Sequence, residues 1–147
     1  MKEEKMHMIR KAGKEDRERI QQLTELLENQ QFNPEDFEKI YLDQLNDERY
    51  VCFVYETEEG ILSYLNMRME AQLHHNAKVA QILELVTEEN RRSQGIGREM
   101  FRYACDYAEK NGCVQIELET SLWRRRAHIF YEREGMIADH AYYTKKL

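Results

Sequence analysis

The segment Leu85-Val86-Thr87-Glu88-Glu89-Asn90-Arg91-Arg92-Ser93-Gln94-Gly95-Ile96-Gly97 decides how this chain is to be read. An apolar, strand-like run breaks there into a basic turn with two glycines, and a helical pattern follows. Glycine has no Cβ, so Gly95 and Gly97 let the main chain come close to a bound group. The first N–H groups of a helix have no partner within it and lie at the positive end of its dipole, which suits the turn to a diphosphate. Arg92 adds a counter-charge at the rim. Spacing excludes two familiar phosphate loops. A dinucleotide fingerprint needs a third glycine where Met100 stands, and a Walker loop needs a Gly-Lys-Ser/Thr triplet that the chain lacks. What remains is Arg-x-x-Gly-x-Gly on Arg92, Gly95 and Gly97, a pattern that ordinary strand-to-helix punctuation also produces.

Upstream of this turn, Met8-Ile9-Arg10 reads as a short strand, and Ile20, Leu23 and Leu27 fall at helical spacing between Asp16 and Glu28. Asn33 caps a second helix that opens on Pro34 and carries Phe37, Ile40, Tyr41 and Leu45. Tyr50–Tyr55 and Ile61–Met67 are aromatic and β-branched runs joined by Glu56–Gly60, which predicts a hairpin. Glu70–Lys78 reads as a polar link to the strand Val79–Thr87. Downstream, the helix from Gly97 places Met100, Ala104, Tyr107 and Ala108 on one face and ends at Asn111-Gly112. A strand over Cys113–Leu118, a helix to Gly135 and a last strand over Ala141–Lys145 complete the order β-α-α-β-β-β-α-β-α-β.

Composition narrows the class. A chain of 147 residues, 41% apolar and with one proline, fits a single domain over residues 1–147 with one core. No apolar run approaches the roughly 20 residues that cross a bilayer, and Met1–His7 lacks the apolar stretch of a secretory signal, so a cytoplasmic protein without a membrane partner is expected. Cys52, Cys105 and Cys113 are odd in number and lack Cys-x-x-Cys spacing, which reads as reduced thiols. The formal charge of −6 disfavours nucleic acid and favours cationic partners. Arg124-Arg125-Arg126 fits a helix start or a phosphate contact better than a duplex footprint. His74 and His75 are adjacent, which suits no common chelate, and His128 has only Glu132 at helical spacing, as a surface pair; no metal site is expected.

The C-terminal third adds a second motif. Cys113-Val114-Gln115-Ile116-Glu117-Leu118 is followed by Thr120-Ser121-Leu122-Trp123 and then Arg124-Arg125-Arg126-Ala127-His128-Ile129-Phe130-Tyr131-Glu132-Arg133-Glu134-Gly135-Met136. With the Arg-x-x-Gly-x-Gly turn, this resembles the GCN5-related N-acetyltransferase (GNAT) superfamily, whose last motif is Ala-x-x-Phe/Tyr-Tyr-Glu-Lys-x-Gly-Phe. Ala127, Phe130, Tyr131, Glu132 and Gly135 match; Arg133 and Met136 are substitutions, and Arg124 stands where an asparagine is usual. The likeness is close in motif from about Ile82 to Met136 and only architectural before that.

The resemblance implies an α/β (α+β) fold, a mixed, twisted central sheet of about six to seven strands flanked by about four helices. It implies acetyl-CoA as cosubstrate, held by Leu85, Val86, Thr87, Arg92, Ser93, Gln94, Gly95, Ile96, Gly97, Arg98 and Arg124. It also implies transfer of the acetyl group to a small-molecule or peptide primary amine by direct attack in a ternary complex. Tyr131 lies where the superfamily keeps its general acid. Glu84, an acid inside an apolar strand, is the candidate base, with Glu117 and Glu119 as runners-up. Main-chain N–H groups near Val86 would meet the oxyanion. Two other readings stand beside this one: a degenerate acyl-CoA-binding regulatory or structural protein, and a phosphate-binding module unrelated to CoA. Homodimerisation stays open, since Tyr142 and Tyr143 hint at an interface while Lys145 and Lys146 could equally protect an edge strand.

Overall fold

The computed structural model describes residues 6–147, and the chain divides into two units, one ending at Glu117 and the other running from Leu118 to Leu147. The first unit is built on a sheet in the order β1 (His7–Lys11), β2 (Tyr50–Thr57), β3 (Gly60–Gln72), β4 (Ala77–Thr87) and β5 (Gln115–Leu118). The first four strands form an antiparallel meander. Helices α1 (Arg17–Glu28) and α2 (Pro34–Leu45) connect β1 to β2, and α3 (Ile96–Lys110) connects β4 to β5.

Side-chain alternation sorts the two faces of the sheet. Cys52, Val54, Tyr64 and Val86 share a buried cluster with Ile20 and Leu23 of α1 and Tyr41 of α2. Their neighbours point the other way: Phe53 meets Tyr103 and Tyr107 of α3 edge-on, at ring separations of 4.9 and 5.0 Å. The expected caps are present where they matter. Asn33 Oδ1 accepts from the Asp36 N–H at 3.0 Å with Pro34 in the first turn of α2, and α3 buries Met100, Phe101, Ala104 and Ala108.

Three expectations need correction. The polar stretch Glu70–Lys78 is mostly strand: β3 runs on to Gln72 and β4 begins at Ala77, because Glu70 and Val79, Ala71 and Lys78, and Gln72 and Ala77 continue the ladder. Main-chain pairing there overrides a composition that reads as a loop. The β2–β3 turn is correspondingly tight, with Thr57 opposite Gly60. The last strand over Ala141–Lys145 does not form, and the sheet has five strands rather than six or seven. Tyr142 and Tyr143 are 66% and 90% exposed, and the Tyr142 hydroxyl is held by Glu119; aromatic content without a ladder does not make a strand. The mixed α/β architecture with four helices is as expected.

In the second unit, α4 (Arg125–Arg133) is preceded by a turn in which the Arg124 N–H donates to Ser121 O at 3.0 Å. The Nε2 of His128 lies 2.9 Å from the same carbonyl, rather than pairing with Glu132. Among the described residues, no helix is long and apolar enough to cross a membrane.

Candidate active site

Glu84 is placed by an irregularity in β4. Pairing with β3 runs Thr87–Ser63, Val86–Tyr64, Leu85–Leu65 and Glu84–Asn66, then resumes at Ile82–Met67, leaving Leu83 as a surplus residue. Directly paired residues of an antiparallel ladder share a face, so the bulge reverses the phase of the strand. Ile82 goes with Met67 and Leu65 to the α3 side, whereas Glu84 joins Asn66, Tyr64 and Val86 on the side covered by α1 and α2. Were β4 regular through Leu83, Ile82 and Glu84, two residues apart, would face the same way.

Glu84 opens there onto a cavity of about 680 Å³. Phe37, Tyr41, Leu45 and Tyr64 give it apolar walls, and the Asn66 amide sits beside the acid. Asn66 Nδ2 donates to Gln44 Oε1 of α2 at 2.9 Å and lies 3.4 Å from Glu84 Oε1. Burial raises the affinity of the Glu84 carboxyl for its proton, the Asn66 hydrogen bond opposes this, and nearby Glu28 adds to it. The buried Cys52 thiol and the Tyr64 phenol in the same wall are likewise pushed up by desolvation, and Tyr64 exchanges a 2.7 Å hydrogen bond with Thr24.

Beyond Glu84, the strand edge is open. Glu88 N–H donates to Leu62 O at 2.7 Å, and alternation along an antiparallel ladder then turns the main-chain groups of Leu85 and Thr87 away from β3. Val86 O accepts from the Ser63 hydroxyl at 2.8 Å on the β3 side. On the other edge, Val114 N–H donates to Lys78 O at 3.0 Å, so β5 starts beside the beginning of β4. At about 3.3 Å per residue, a strand as short as β5 ends well before the level of Leu85.

The first part of the loop that follows is tied at two points. Arg19 of α1 donates to Ile61 O at 2.9 Å and pairs with Glu88, and Arg91 pairs with Glu59 in the β2–β3 turn. Arg92, Ser93, Gln94 and Gly95 follow these anchors and lie exposed before α3 begins. Gly95 adopts φ 85° as the N-cap of α3, a left-handed conformation that penalises any residue with a Cβ. An added Cβ there would meet nothing within 4 Å, so the space in front of the turn is open to a ligand. The first ladder bond of α3 runs from Glu99 N–H to Gly95 O at 3.1 Å; the amides of Ile96, Gly97 and Arg98 precede it, in the geometry that receives an anion.

The structure therefore brings Glu84, Leu85, Val86, Thr87 and the Arg92–Arg98 turn onto one continuous strand–loop–helix segment. Tyr131 and Arg124 belong to the C-terminal unit. There Tyr131 is half-buried in α4, and desolvation raises its phenol pKa against a smaller lowering by Arg124, whose guanidinium lies 4.8 Å over the Trp123 ring. Sequence reading passed over Asn66, Gln44, Arg19 and Arg91. Asn66 had a signal, as the one amide inside the apolar run Ile61–Met67; the other three lie among ordinary surface polar residues.

Residues 17–136 match the acetyltransferase (GNAT) family. The chain belongs to that family. It is 36% identical over 87 residues to an aminoalkylphosphonate N-acetyltransferase of Salmonella typhimurium, a match covering 59% of this chain and 56% of that protein. An uncharacterised N-acetyltransferase of Bacillus subtilis is 39% identical over 57 residues, covering 39% of this chain and 40% of that one. The matches thus span about half the length of these curated relatives. A crystal structure described as a transcriptional regulator from Bacillus halodurans superposes with a TM-score of 0.90 at 23% identity, covering 97% of this chain and 100% of the other. At that identity the likeness is one of GNAT fold. Among the described residues, no three His, Cys, Asp or Glu side chains come together as a metal site.

Proposed function

We propose that residues 1–147 act as one acetyl-CoA-dependent N-acetyltransferase domain that moves an acetyl group to a primary amine by direct attack in a ternary complex. The observation that carries this reading is the bulge at Leu83, which turns Glu84 into an apolar cavity just before β4 presents open main-chain groups and leads into an anion turn. The residues fit the cosubstrate. The amides that open α3, with Gly95, Gly97 and Arg92, suit its diphosphate, and the outward groups of Leu85 and Thr87 suit an arm laid along β4 like an added strand. When bound, acetyl-CoA supplies an activated acyl group on a good thiolate leaving group.

The chain's own residues do the rest. An alkyl ammonium has a pKa of about 10.4 and is no nucleophile until it loses a proton. Glu84, made more basic by burial, takes that proton directly or through one water. The amine nitrogen then forms the new C–N bond as the C–S bond breaks, and outward N–H groups at the end of β4 face the carbonyl oxygen. By its motif, Tyr131 is assigned the return step, giving its phenolic proton to the departing sulfur and regaining, through water, the proton that the nitrogen sheds on becoming an amide; its raised pKa keeps the phenol protonated at neutral pH. No step needs a thiol nucleophile, so none of Cys52, Cys105 and Cys113 has to act.

The test is calorimetric titration with acetyl-CoA, CoA and ATP, followed by thiol release with a panel of amines. Micromolar binding that requires the pantetheine arm, with amine-dependent thiol release, is expected. Binding without release for any amine would favour a degenerate acyl-CoA-binding protein. Equal binding of ATP would favour a plain phosphate module.

A further inference from the structure

Phe37, Tyr41 and Gln44 fall at helical spacing on one face of α2, and all of them line the cavity onto which Glu84 opens. Gln44 is the polar member of that stripe. Its Oε1 accepts from Asn66 Nδ2 at 2.9 Å, an ordinary hydrogen-bond length, whereas the same nitrogen stands 3.4 Å from Glu84 Oε1. The shorter bond sets the Asn66 amide, so α2 rather than the carboxylate decides how it is turned. Both Nδ2 hydrogens are then committed, and Asn66 Oδ1 has no donor among the described residues. This oxygen is not sealed in the protein, because Arg68 Nε is the one enclosed side-chain polar atom without a hydrogen bond among the described residues. A carbonyl oxygen on a residue only 6% exposed thus opens on the cavity beside Glu84.

We propose that Gln44 is a positioning residue, holding Asn66 so that its Oδ1 and the Glu84 carboxyl together seat the acceptor nitrogen and select a primary over a secondary amine. This deepens the acyltransferase reading and rests on it. The two heteroatoms of an amide are about 2.2 Å apart, so Asn66 Oδ1 lies within about 5.6 Å of Glu84 Oε1, and one nitrogen can bond to both. Once Glu84 has taken a proton, a primary amine keeps two N–H groups, one for Asn66 Oδ1 and one for the unprotonated Glu84 oxygen, besides the lone pair that attacks. A secondary amine keeps a single N–H and leaves one of these acceptors unanswered. Asn66 therefore works from both ends, with Nδ2 steadying the charge of Glu84 and Oδ1 taking an N–H of the substrate. Glu28, Cys52 and Tyr64 are the other titratable groups that interact with this carboxylate among the described residues, and each of them, when ionised, disfavours its charge.

The experiment has two readouts on the whole chain. The Glu84 carboxyl is titrated by carbon NMR, and kcat/KM under saturating acetyl-CoA is compared for the fastest primary amine of the thiol-release panel and its N-methyl derivative. Gln44→Met removes the acceptor at nearly the same shape, Gln44→Glu keeps an acceptor, and Asn66→Leu removes the amide at like size. Gln44→Met should move the Glu84 titration to higher pH, because the Asn66 amide is no longer held toward the carboxylate. In the parent chain the primary amine should lead its N-methyl derivative by about fivefold or more, the worth of one hydrogen bond. That ratio should fall toward one in Gln44→Met and Asn66→Leu and survive in Gln44→Glu. An unmoved Glu84 titration in Gln44→Met, or a ratio in Asn66→Leu equal to that of the parent chain and so due to bulk alone, overturns the inference and leaves the acyltransferase reading standing. No thiol release with any amine overturns both.

Discussion

Glu84 is costly where it stands. Its folded-state pKa is raised, mainly by burial, so the folded chain binds this proton more tightly than the unfolded chain does. The ionised form therefore penalises folding at pH values above the folded pKa, and the penalty disappears as pH falls below the ordinary carboxylate range. Glu84→Gln should raise the melting temperature at neutral pH, and the gain should be lost in acid; a scan of melting temperature against pH checks it. The same substitution should lower kcat/KM by roughly 10²–10⁴-fold and remove the acidic limb of the pH–rate profile, which in the parent chain should lie above the usual carboxylate value. Asn66→Ala takes away the hydrogen bond that favours the charged form, so it should move that limb further up in pH while leaving a working enzyme. For the proposed proton donor, Tyr131→Phe should reduce kcat by about 10²-fold while the CoA dissociation constant measured by calorimetry changes little.

At the scale of elements, the anion turn is the part most open to a single test. Gly97→Asp adds bulk and negative charge in the first turn of α3, and calorimetry should show CoA binding abolished while the far-ultraviolet circular dichroism is retained. This segment was also the most legible in the sequence, since two glycines at fixed offset, an apolar run before them and a helical period after them are all local signals. α2 was legible for the same reason, with Asn33 and Pro34 announcing its start. The elements that were misread depend on partners far along the chain. Glu70, Ala71 and Gln72 are strand because Val79, Lys78 and Ala77 lie opposite them, and Ala141–Lys145 is not strand because aromatic composition cannot supply a ladder. Glu84 could be suspected from polarity alone, but the direction it faces could not, because the surplus residue that sets it is an ordinary leucine. The cavity was illegible altogether, since its walls come from β1, α1, α2, β2, β3, β4 and α3 and no short stretch encodes it.

The whole first unit is pinned at the corner where β1 turns into α1. Asp16, 5% exposed, accepts from Arg10 at 2.7 and 2.9 Å and from the Gly13 N–H at 2.8 Å, while Arg10 also reaches Glu56 of β2. The Arg10 guanidinium holds the Asp16 carboxyl below its ordinary pKa of 3.8. That contribution to stability is therefore present above pH 3.8 and lost as pH falls through the lowered folded value. Asp16→Asn should cost about 2–3 kcal/mol in urea denaturation at neutral pH, with the difference from the parent chain narrowing in acid. The phase reversal at Leu83 has a consequence of another kind, for how relatives are compared. A single extra residue decides which side of the sheet the carboxylate meets, so a relative without it would carry its acid one column away in a residue-by-residue alignment. A search for the proposed base by matched columns would then meet an apolar side chain, and the feature to follow is the gap rather than the glutamate.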